Sequence, residues 1–183
     1  MSALSAPYMH DEAKAFEHVE AMLWPQGPVC PECGVVGNAG KLNGVRTKPS
    51  QKNPQGKERH GLWKCRDCKK QFTVRIGTIF EGSHVELNLW LQAIYLMTSS
   101  KKGISSHQLH RTLGVTVKTA WFMSHRIREA MRDDNSVDFG VGGGTVEVDE
   151  TFIGKQYEKS RTARGGDHKN KLLTLVDRST GRA

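Results

Sequence analysis

All four cysteines of the chain fall into two C-x-x-C pairs, which are formed by Cys30, Cys33, Cys65 and Cys68. Two thiolates that are two residues apart can turn back to face one ion, and two such pairs complete a tetrahedral site of four sulfurs. Gly34 after the first pair supplies a turn residue, and Lys69 and Lys70 after the second pair supply a cationic flank. The spacing therefore predicts a zinc ribbon whose metal stabilises the fold and does no chemistry.

Two other uses of the cysteine pairs fit the residues less well. Two disulfides would suit an exported protein, but the N-terminal sequence does not read as an apolar signal segment. A redox C-x-x-C motif is expected as a single pair beside a βαβ pattern. The segment between the pairs, residues 34–64, is longer than is usual for such ribbons. We assign the excess, residues 41–61, to a polar loop inserted between the pairs.

The net charge of +8 is unevenly distributed along the 183 residues. Residues 41–75 hold 11 Lys and Arg against 2 Asp and Glu, and residues 101–132 hold 7 against 1. These basic blocks favour a polyanionic partner, most simply nucleic acid. For residues 41–61 taken alone, we favour lysines on a loop that are surrounded by water. Residues 133–150 instead hold 6 acids and no Lys or Arg. No apolar run approaches the length of about 18 residues that a membrane span needs.

Hydrophobic periodicity predicts one helix over residues 10–24 and another over residues 85–99. Between them, β-type stretches at 62–64 and 71–74 flank the second cysteine pair, and residues 77–80 are expected to continue extended. The apolar stripe of the first helix is formed by Phe16, Val19, Met22 and Leu23. The side chains expected to cover the zinc site are Trp63, Phe72 and Val74.

Residues 104–131 indicate a helix, a tight turn at Gly114 and a second helix. Ser105 or Ser106 is suited to cap the first helix and Thr116 the second, while Gly114 suits the left-handed residue between them. The side chains expected to be buried in the second helix are Val117, Ala120, Trp121, Ile127 and Met131. Those expected outside are Lys118, Thr119, Phe122, His125, Arg126 and Arg132.

This pattern is the helix-turn-helix arrangement, whose second helix enters the major groove of DNA by its N-terminal end. The candidates for base or phosphate contact are then Thr116, Lys118, Thr119 and Phe122. Arg126, further along the helix, is better placed for a phosphate. The alternative is a plain helical hairpin whose charges face water.

The acidic block begins in a predicted flexible linker over residues 133–144. It ends in a predicted strand over residues 145–153. A second strand is predicted over residues 171–176, followed by a hairpin turn over 177–181. Asp149 is our candidate magnesium ligand, because a carboxylate on a strand is what a metal-dependent phosphoryl-transfer site needs. Glu147 shares its face and Glu150 does not. The alternative is an ordinary solvated strand.

Four motifs follow one another along the chain: WPQGPVCPECG (24–34), CRDCKKQFTVRIGTIF (65–80), TVKTAWFMSHRIR (116–128) and VEVDETFIG (146–154). Together they closely resemble bacterial insertion-sequence transposases of the ISXO type. The resemblance implies an α+β chain in which a zinc ribbon and a helix-turn-helix region bind transposon ends. A ribonuclease-H-like domain of the DDE type would follow, which cuts and joins DNA with two divalent metals, Mg²⁺ or Mn²⁺. By that resemblance Asp149 is the first catalytic carboxylate.

The sequence departs from the family in one respect that bears on activity. The family needs a second Asp and a third Glu or Asn on later elements, which would lie beyond Ala183, and two metals require several carboxylates. We therefore expect a C-terminally truncated chain that retains DNA binding, with two strands of an incomplete catalytic domain. The expected division is 1–28 lead-in helix, 29–80 zinc ribbon, 84–132 helix-turn-helix region, 133–144 linker and 145–183 start of the catalytic domain.

The resemblance also implies a homo-oligomer on double-stranded DNA, at the nucleoid in the cytoplasm, with no membrane partner. A different hypothesis is a stand-alone DNA-binding regulator that occupies transposon ends without cleaving them. A third hypothesis, a zinc-ribbon protein of RNA binding or translation, fits the charge but leaves the strand around Asp149 unexplained.

Overall fold

The computed structural model describes residues 3–51, 53–132, 144–154, 156 and 168–178. The chain divides into two compact units, residues 1–132 and residues 133–183. The predicted linker over 133–144 lies almost wholly outside the described residues, and so does the end of the predicted turn at 177–181. Within the described part of the chain, no helix is long and apolar enough to cross a membrane.

Among the residues described in the first unit are four α-helices and a three-stranded antiparallel sheet. The helices are α1 (Glu12–Leu23), α2 (Leu87–Ser99), α3 (Ser106–Leu113) and α4 (Val117–Ala130). The strands are β1 (Ala39–Lys41), β2 (Trp63–Cys65) and β3 (Gln71–Phe72), in the order β1-β2-β3. Two short 3₁₀ turns, Ala3–Ser5 and Pro7–Met9, precede α1.

Helix α2 contacts the other three helices and carries much of the helical core. The side chains of Leu87, Trp90 and Ala93 are fully buried there. Trp90 also satisfies its one polar atom, since its Nε1 donates to the Oγ of Ser83 at 3.0 Å. Full burial of an apolar side chain of this size stabilises the fold by about 1.5–3 kcal/mol. The predicted helix over 85–99 is therefore confirmed, with its first turn two residues later than expected.

Helix α1 is confirmed, but its apolar stripe differs from the predicted one. Asp11 caps the helix, and its side chain accepts a hydrogen bond from the N–H of Lys14. Phe16 and Val19 are buried as expected. Met22 and Leu23 are instead 57% and 50% exposed. The reason is that the last turn of α1 extends past the core, and the face that reaches the ribbon is the one carrying Glu20.

The expectation that residues 77–80 continue extended is wrong, because the chain turns repeatedly there. The hydroxyl of Thr78 donates to the carbonyl of Arg75 at 2.6 Å, and the N–H of Thr78 donates to the same oxygen at 3.1 Å. Gly77 adopts a left-handed φ of 73°, which glycine reaches without steric cost. A local threonine turn therefore replaces the strand.

In the described residues of the second unit, β4 (Val146–Ile153) and β5 (Asn170–Asp177) form an antiparallel pair. Both strands were predicted from the sequence and are confirmed. Their alternation places Val148 on one face of the pair and Asp149 on the other, where Asp149 lies opposite Thr174. Apolar side chains of this unit are exposed, with Val148 at 61% and Leu173 at 57%. The ribonuclease-H-like assignment remains a prediction.

Candidate metal centre and nucleic-acid interface

The four cysteine sulfurs of the first unit lie within 4.8 Å of one another. The Sγ of Cys30 is 3.6 Å from that of Cys68, and the Sγ of Cys33 is 3.6 Å from that of Cys65. Four sulfurs held at about 2.3 Å from one zinc ion in a tetrahedron would be about 3.8 Å apart. The thiol positions therefore fit a four-thiolate zinc site, and they supply the softer ligands that zinc accepts and magnesium does not.

The same distances exclude the two-disulfide alternative in this structure. A disulfide requires about 2.05 Å between sulfurs, and all four cysteines are free. The 3.6 Å contacts run from one C-x-x-C pair to the other, so the four thiols form one cluster.

Each C-x-x-C pair is followed by a residue with left-handed backbone geometry. Gly34 follows the first pair with φ 73°, and its N–H donates to the carbonyl of Cys30 at 2.9 Å. Lys69 occupies the matching position after the second pair with φ 62°. A side chain in this region costs about 1–2 kcal/mol. The second turn is therefore strained at Lys69, whereas glycine keeps the first turn free of this strain.

Backbone N–H groups aimed at the sulfurs prepare the cluster for negative charge. Burial raises the pKa of Cys30, but hydrogen bonds from the N–H groups of Cys33 and Glu32 outweigh it and lower the pKa to about 7. The N–H of Val35 lowers the pKa of Cys33, but the hydrogen bond to Cys30 and burial raise it to about 12. One thiolate thus forms readily, and a second beside it requires a cation.

The side chains that cover the thiol cluster differ in part from the predicted set. Phe72 is buried against Cys30 and Cys65, and Trp63 packs beside it, both as predicted. Val74 instead belongs to the helical core, because the chain leaves the sheet after Phe72. Trp24 takes its place. Its ring meets the rings of Phe72 and Trp63 edge-on, at 5.7 and 6.2 Å between centroids.

Helix α1 is joined to the sheet by one nearly buried carboxylate, Glu20. Its oxygens accept hydrogen bonds from the Nε1 of Trp63 at 2.9 Å and from the Nζ of Lys41 at 3.1 Å. Glu20 is 9% exposed, so both partners are needed to offset its loss of water. The ribbon and the helical core are therefore fixed to each other at this point.

The inserted segment is also anchored to the core. Lys57 donates to Glu12 at 2.9 Å and to Glu86 at 2.7 Å, and Arg75 lies 3.4 Å from Glu12. Partial burial lowers the pKa of Lys57, but hydrogen bonds to Glu86 and Glu12 raise it above its ordinary value. Lys57 is thus part of an ion cluster, whereas the sequence alone suggested a lysine that only water surrounds.

The two helices around Gly114 begin and end close to the predicted residues. The side chain of Ser105 accepts from the N–H of Gln108 at 3.2 Å, and that of Thr116 accepts from the N–H of Thr119 at 3.1 Å. Gly114 ends α3 with φ 69°. These caps satisfy N–H groups that a helix start leaves without partners.

The predicted buried stripe of α4 is correct at Ala120 and Ile127 and wrong at the larger residues. Val117, Trp121 and Met131 are exposed by 36%, 56% and 51%. The buried residues between them are Met123 and Ser124. The reason is close helix packing. Ala120 and Ser124 are small enough to let α3 approach, and the hydroxyl of Ser124 lies 3.3 Å from that of Ser106.

The predicted DNA contacts of α4 fall into different environments. Lys118, Phe122 and Thr116 are exposed, whereas Thr119 is half-buried. Arg126 is half-buried too, and its Nη1 donates to the carbonyls of Ile79 and Glu81 at 3.0 and 2.5 Å. Its guanidinium also lies 5.1 Å from the ring centroid of Phe122. Arg126 therefore holds the turn after the ribbon against α4.

Sequence reasoning placed His125 on the outside of α4 correctly but missed that Trp121 is exposed beside it. Trp121 and His125 lie one turn apart on this helix, and their rings are 4.2 Å apart. Arg128 continues the exposed surface toward the end of the helix. The signal was present in the spacing of Ala120, Met123, Ser124 and Ile127. These small and medium residues define a complete helical stripe without the tryptophan.

The carboxylates of β4 occupy the positions that the strand pattern predicts. Asp149 is exposed, and Glu147 on the same face accepts a hydrogen bond from the Nε of Arg178 at 2.8 Å and forms an ion pair with its Nη2 at 2.6 Å. Glu150 lies on the opposite face. Among the described residues, the four cysteines are the one group of three or more side chains arranged to hold a metal ion.

Comparison with known proteins supports a relation to transposable elements. Residues 10–71, which contain all four cysteines, match the family model of a transposase zinc-ribbon domain. Over 184 residues the chain is 26% identical to a Halobacterium salinarum protein described as an uncharacterized protein in transposable element ISH50. The match covers 93% of this chain and 56% of the relative, so the chain spans about half the length of that curated relative. No solved structure matches.

Proposed function

We propose that this chain is the DNA-binding part of an insertion-sequence transposase of the ISXO type, with the beginning of a DDE catalytic domain. The observation that carries the proposal is the match of residues 10–71 to a transposase zinc-ribbon domain, over the stretch that brings four thiols together. The relative in a transposable element extends the similarity over most of the chain. The division at residues 29–80, 84–132 and 145–183 is part of the proposal.

Duplex DNA is the partner that the charge of the first unit favours. The chain carries 27 Lys and Arg against 19 Asp and Glu, and the excess is concentrated in residues 41–75 and 101–132. Phosphate contacts of this kind give affinity for any duplex and position the protein. The N-terminal end of α4 would enter the major groove of DNA. The proposed contacts remain Thr116, Lys118, Thr119, Phe122 and Arg126.

Lys118→Ala tests the role of α4. Lys118 is exposed in the first turn of α4, so its removal should weaken DNA binding without affecting the core. We expect affinity for an end sequence, selected from a random duplex pool, to fall about five- to tenfold, as a contact of about 1–1.4 kcal/mol implies. Fluorescence anisotropy at fixed salt measures the change.

Lys14→Ala is the matched control, because Lys14 is an exposed lysine on α1. Equal losses from both substitutions would show a general charge effect and remove α4 from the specific interface. Arg126→Ala is a less direct probe, because it also removes two hydrogen bonds to the turn at residues 79–81.

Asp149 is proposed as a catalytic metal ligand. Its carboxylate is exposed on the same face as Glu147, and carboxylate oxygens are the ligands that Mg²⁺ and Mn²⁺ prefer. A bound divalent ion would supply the positive charge that DNA phosphoryl transfer requires. Glu147 forms an ion pair with Arg178, so it adds less negative charge to the proposed metal site than an unpaired carboxylate would. A functional site requires further ligands than these two.

Asp149→Asn is expected to leave DNA affinity unchanged within twofold and to weaken Mn²⁺ binding to the second unit. The physical reason is that the amide keeps the shape of the side chain and removes its charge. Anisotropy measures the first effect, and electron paramagnetic resonance of added Mn²⁺ measures the second. A large loss of DNA affinity would instead identify β4 as a binding surface.

End cleavage with Mg²⁺ would distinguish a transposase from a regulator that binds ends without cutting.

A further inference from the structure

A small basic pocket lies beside strands β1 and β2 of the ribbon sheet. Its volume is about 250 Å³, and it is lined by Gly40, Lys41, Leu42, Lys64, Cys65, Arg66 and Lys69. No acidic residue is among the described residues that line it. Pockets for drug-sized ligands have volumes of about 300–1,000 Å³, so this one suits a single small group.

The strand pattern explains why cations gather in this pocket. Trp63 and Cys65 of β2 belong to the cluster around the metal site, so Lys64 between them points to the other face of the strand. Arg66 lines the pocket from the bend that follows β2. Gly40 of β1 is the direct partner of Lys64 in the register. Because Gly40 has no side chain, the space beside Lys64 stays open, and an added Cβ would meet nothing within 4 Å.

Lys69 completes the pocket from the turn of the second cysteine pair. Its left-handed backbone, with φ 62°, directs the chain back over β2, and its Nζ donates to the carbonyl of Arg66. That hydrogen bond fixes the ammonium group without neutralising it. The strained turn therefore serves to hold a positive charge at the edge of the pocket.

The cations that line this pocket differ in whether they have ion-pair partners. Lys41 of the lining is paired with Glu20 at 3.1 Å, and Lys70, outside the lining, is paired with Glu32 at 2.6 Å. Within the described part of the chain, Lys64 and Arg66 form no ion pair. Like charges held together repel one another, and an anion that enters between them relieves the repulsion. Arginine in particular binds phosphate through two parallel N–H groups.

We propose that this pocket binds one backbone phosphate of duplex DNA. The proposal rests on the proposed function, and it adds a contact on the ribbon to the one made by α4. Lys64 and Arg66 bind the phosphate oxygens, and Lys69 adds charge from the side. The contact reads no base, so it strengthens binding to every duplex sequence equally.

Gly40→Glu tests the pocket by placing a carboxylate in it. The probe is a fluorescent 20-base-pair duplex of random sequence, titrated with the zinc-loaded full chain over a series of salt concentrations. We expect about tenfold weaker binding at low salt and a plot of log K against log salt flatter by about 0.9, the value for one phosphate contact. Gly40→Ala is the control and should bind as the parent does, because its Cβ has space and Gly40 is not left-handed.

Lys64→Ala and Arg66→Ala provide a second test that adds no new group to the sheet. Each should flatten the same plot, whereas Lys48→Ala, at an exposed lysine outside the pocket lining, should not. Each variant must hold one equivalent of zinc. Parent-like slopes for Gly40→Glu, Lys64→Ala and Arg66→Ala would overturn the pocket, and so would equal losses from Gly40→Ala and Gly40→Glu.

The result for the parent separates the two proposals. If the parent binds the duplex and depends on Lys118 but not on the pocket, only the pocket proposal fails. If the parent binds no duplex at low salt, the proposed function fails first.

Discussion

Cys30→Ser should abolish zinc binding and unfold the ribbon. Cys30 is 1% exposed and lies at 3.6 Å from the sulfur of Cys68, so its hydroxyl replacement leaves three thiolates around a poor fourth ligand. Structural zinc contributes about 10–16 kcal/mol in small zinc peptides, which exceeds or equals the stability of most domains. Three short strands with a small apolar cluster cannot replace it.

The loss should be confined to the ribbon in its first stage. The helical core contains none of the cysteines, so we expect the helical circular dichroism to persist while the fluorescence of Trp24 and Trp63 shifts. Zinc content measured by mass spectrometry of the native protein should fall from one equivalent to none. Cys68→Ser should behave in the same way.

Cys33 offers a matched control for ligand chemistry at one position. It is exposed, so the larger imidazole of Cys33→His has room, and a histidine nitrogen is a good zinc ligand. We expect Cys33→His to keep one zinc and Cys33→Ser to lose it. One equivalent of zinc in both Cys30→Ser and Cys68→Ser would contradict the four-thiolate site.

Gly61→Ala should destabilise the first unit by about 2–5 kcal/mol. A Cβ at Gly61 would lie 2.2 Å from Cδ1 of Phe16, a buried ring of α1, and the backbone φ of 61° is left-handed. The conformational cost is about 1–2 kcal/mol, and overpacking adds about 1–3 kcal/mol. Urea unfolding followed by circular dichroism measures the loss as a lower midpoint.

Gly44→Ala separates the two contributions. Gly44 has a similar φ of 71°, but nothing lies within 4 Å of an added Cβ. We expect it to cost about 1–2 kcal/mol, the conformational contribution alone. If the two variants unfolded at the same urea concentration, the end of the insert would not pack against α1 as the structure has it.

The features that sequence reasoning predicted correctly are local ones. The cap at Thr116, the left-handed Gly114 and the C-x-x-C turns each depend on a few adjacent residues, so their chemistry can be recognised in the sequence. The strand around Asp149 likewise follows from the alternation of neighbouring residues.

The features that sequence reasoning missed depend on which helix or strand surfaces pack against each other. Trp121 was assigned to the core because it is large and apolar, but α3 approaches α4 through Ala120 and Ser124, and a tryptophan does not fit there. Val74 was assigned to the zinc site with the stretch 71–74, but the chain leaves the sheet after Phe72 and Val74 packs in the helical core. Such choices arise between segments that are distant in sequence.

The anchoring of the insert was not predictable for the same reason. Nothing near Lys57 in the sequence indicates that Glu12 and Glu86 lie beside it, since they are 45 and 29 residues away. Charge counts of residues 41–75 therefore overstate the positive charge that is free to meet DNA. Lys64, Arg66 and Lys69 are the cations of the ribbon that remain available in the pocket.

The central claim is that a zinc-held basic unit binds duplex DNA, and the most direct test is a titration of a random-sequence duplex with the zinc-loaded chain between 50 and 200 mM salt. We expect measurable binding at about 50 mM salt and a linear fall of log K with log salt. The slope should correspond to several phosphate contacts, at about −0.9 for each. Removal of zinc with a chelator should weaken the binding and flatten the salt dependence, because the ribbon contacts are lost while α4 remains in the helical core. No binding at low salt, or affinity that ignores both salt and zinc, would contradict the account.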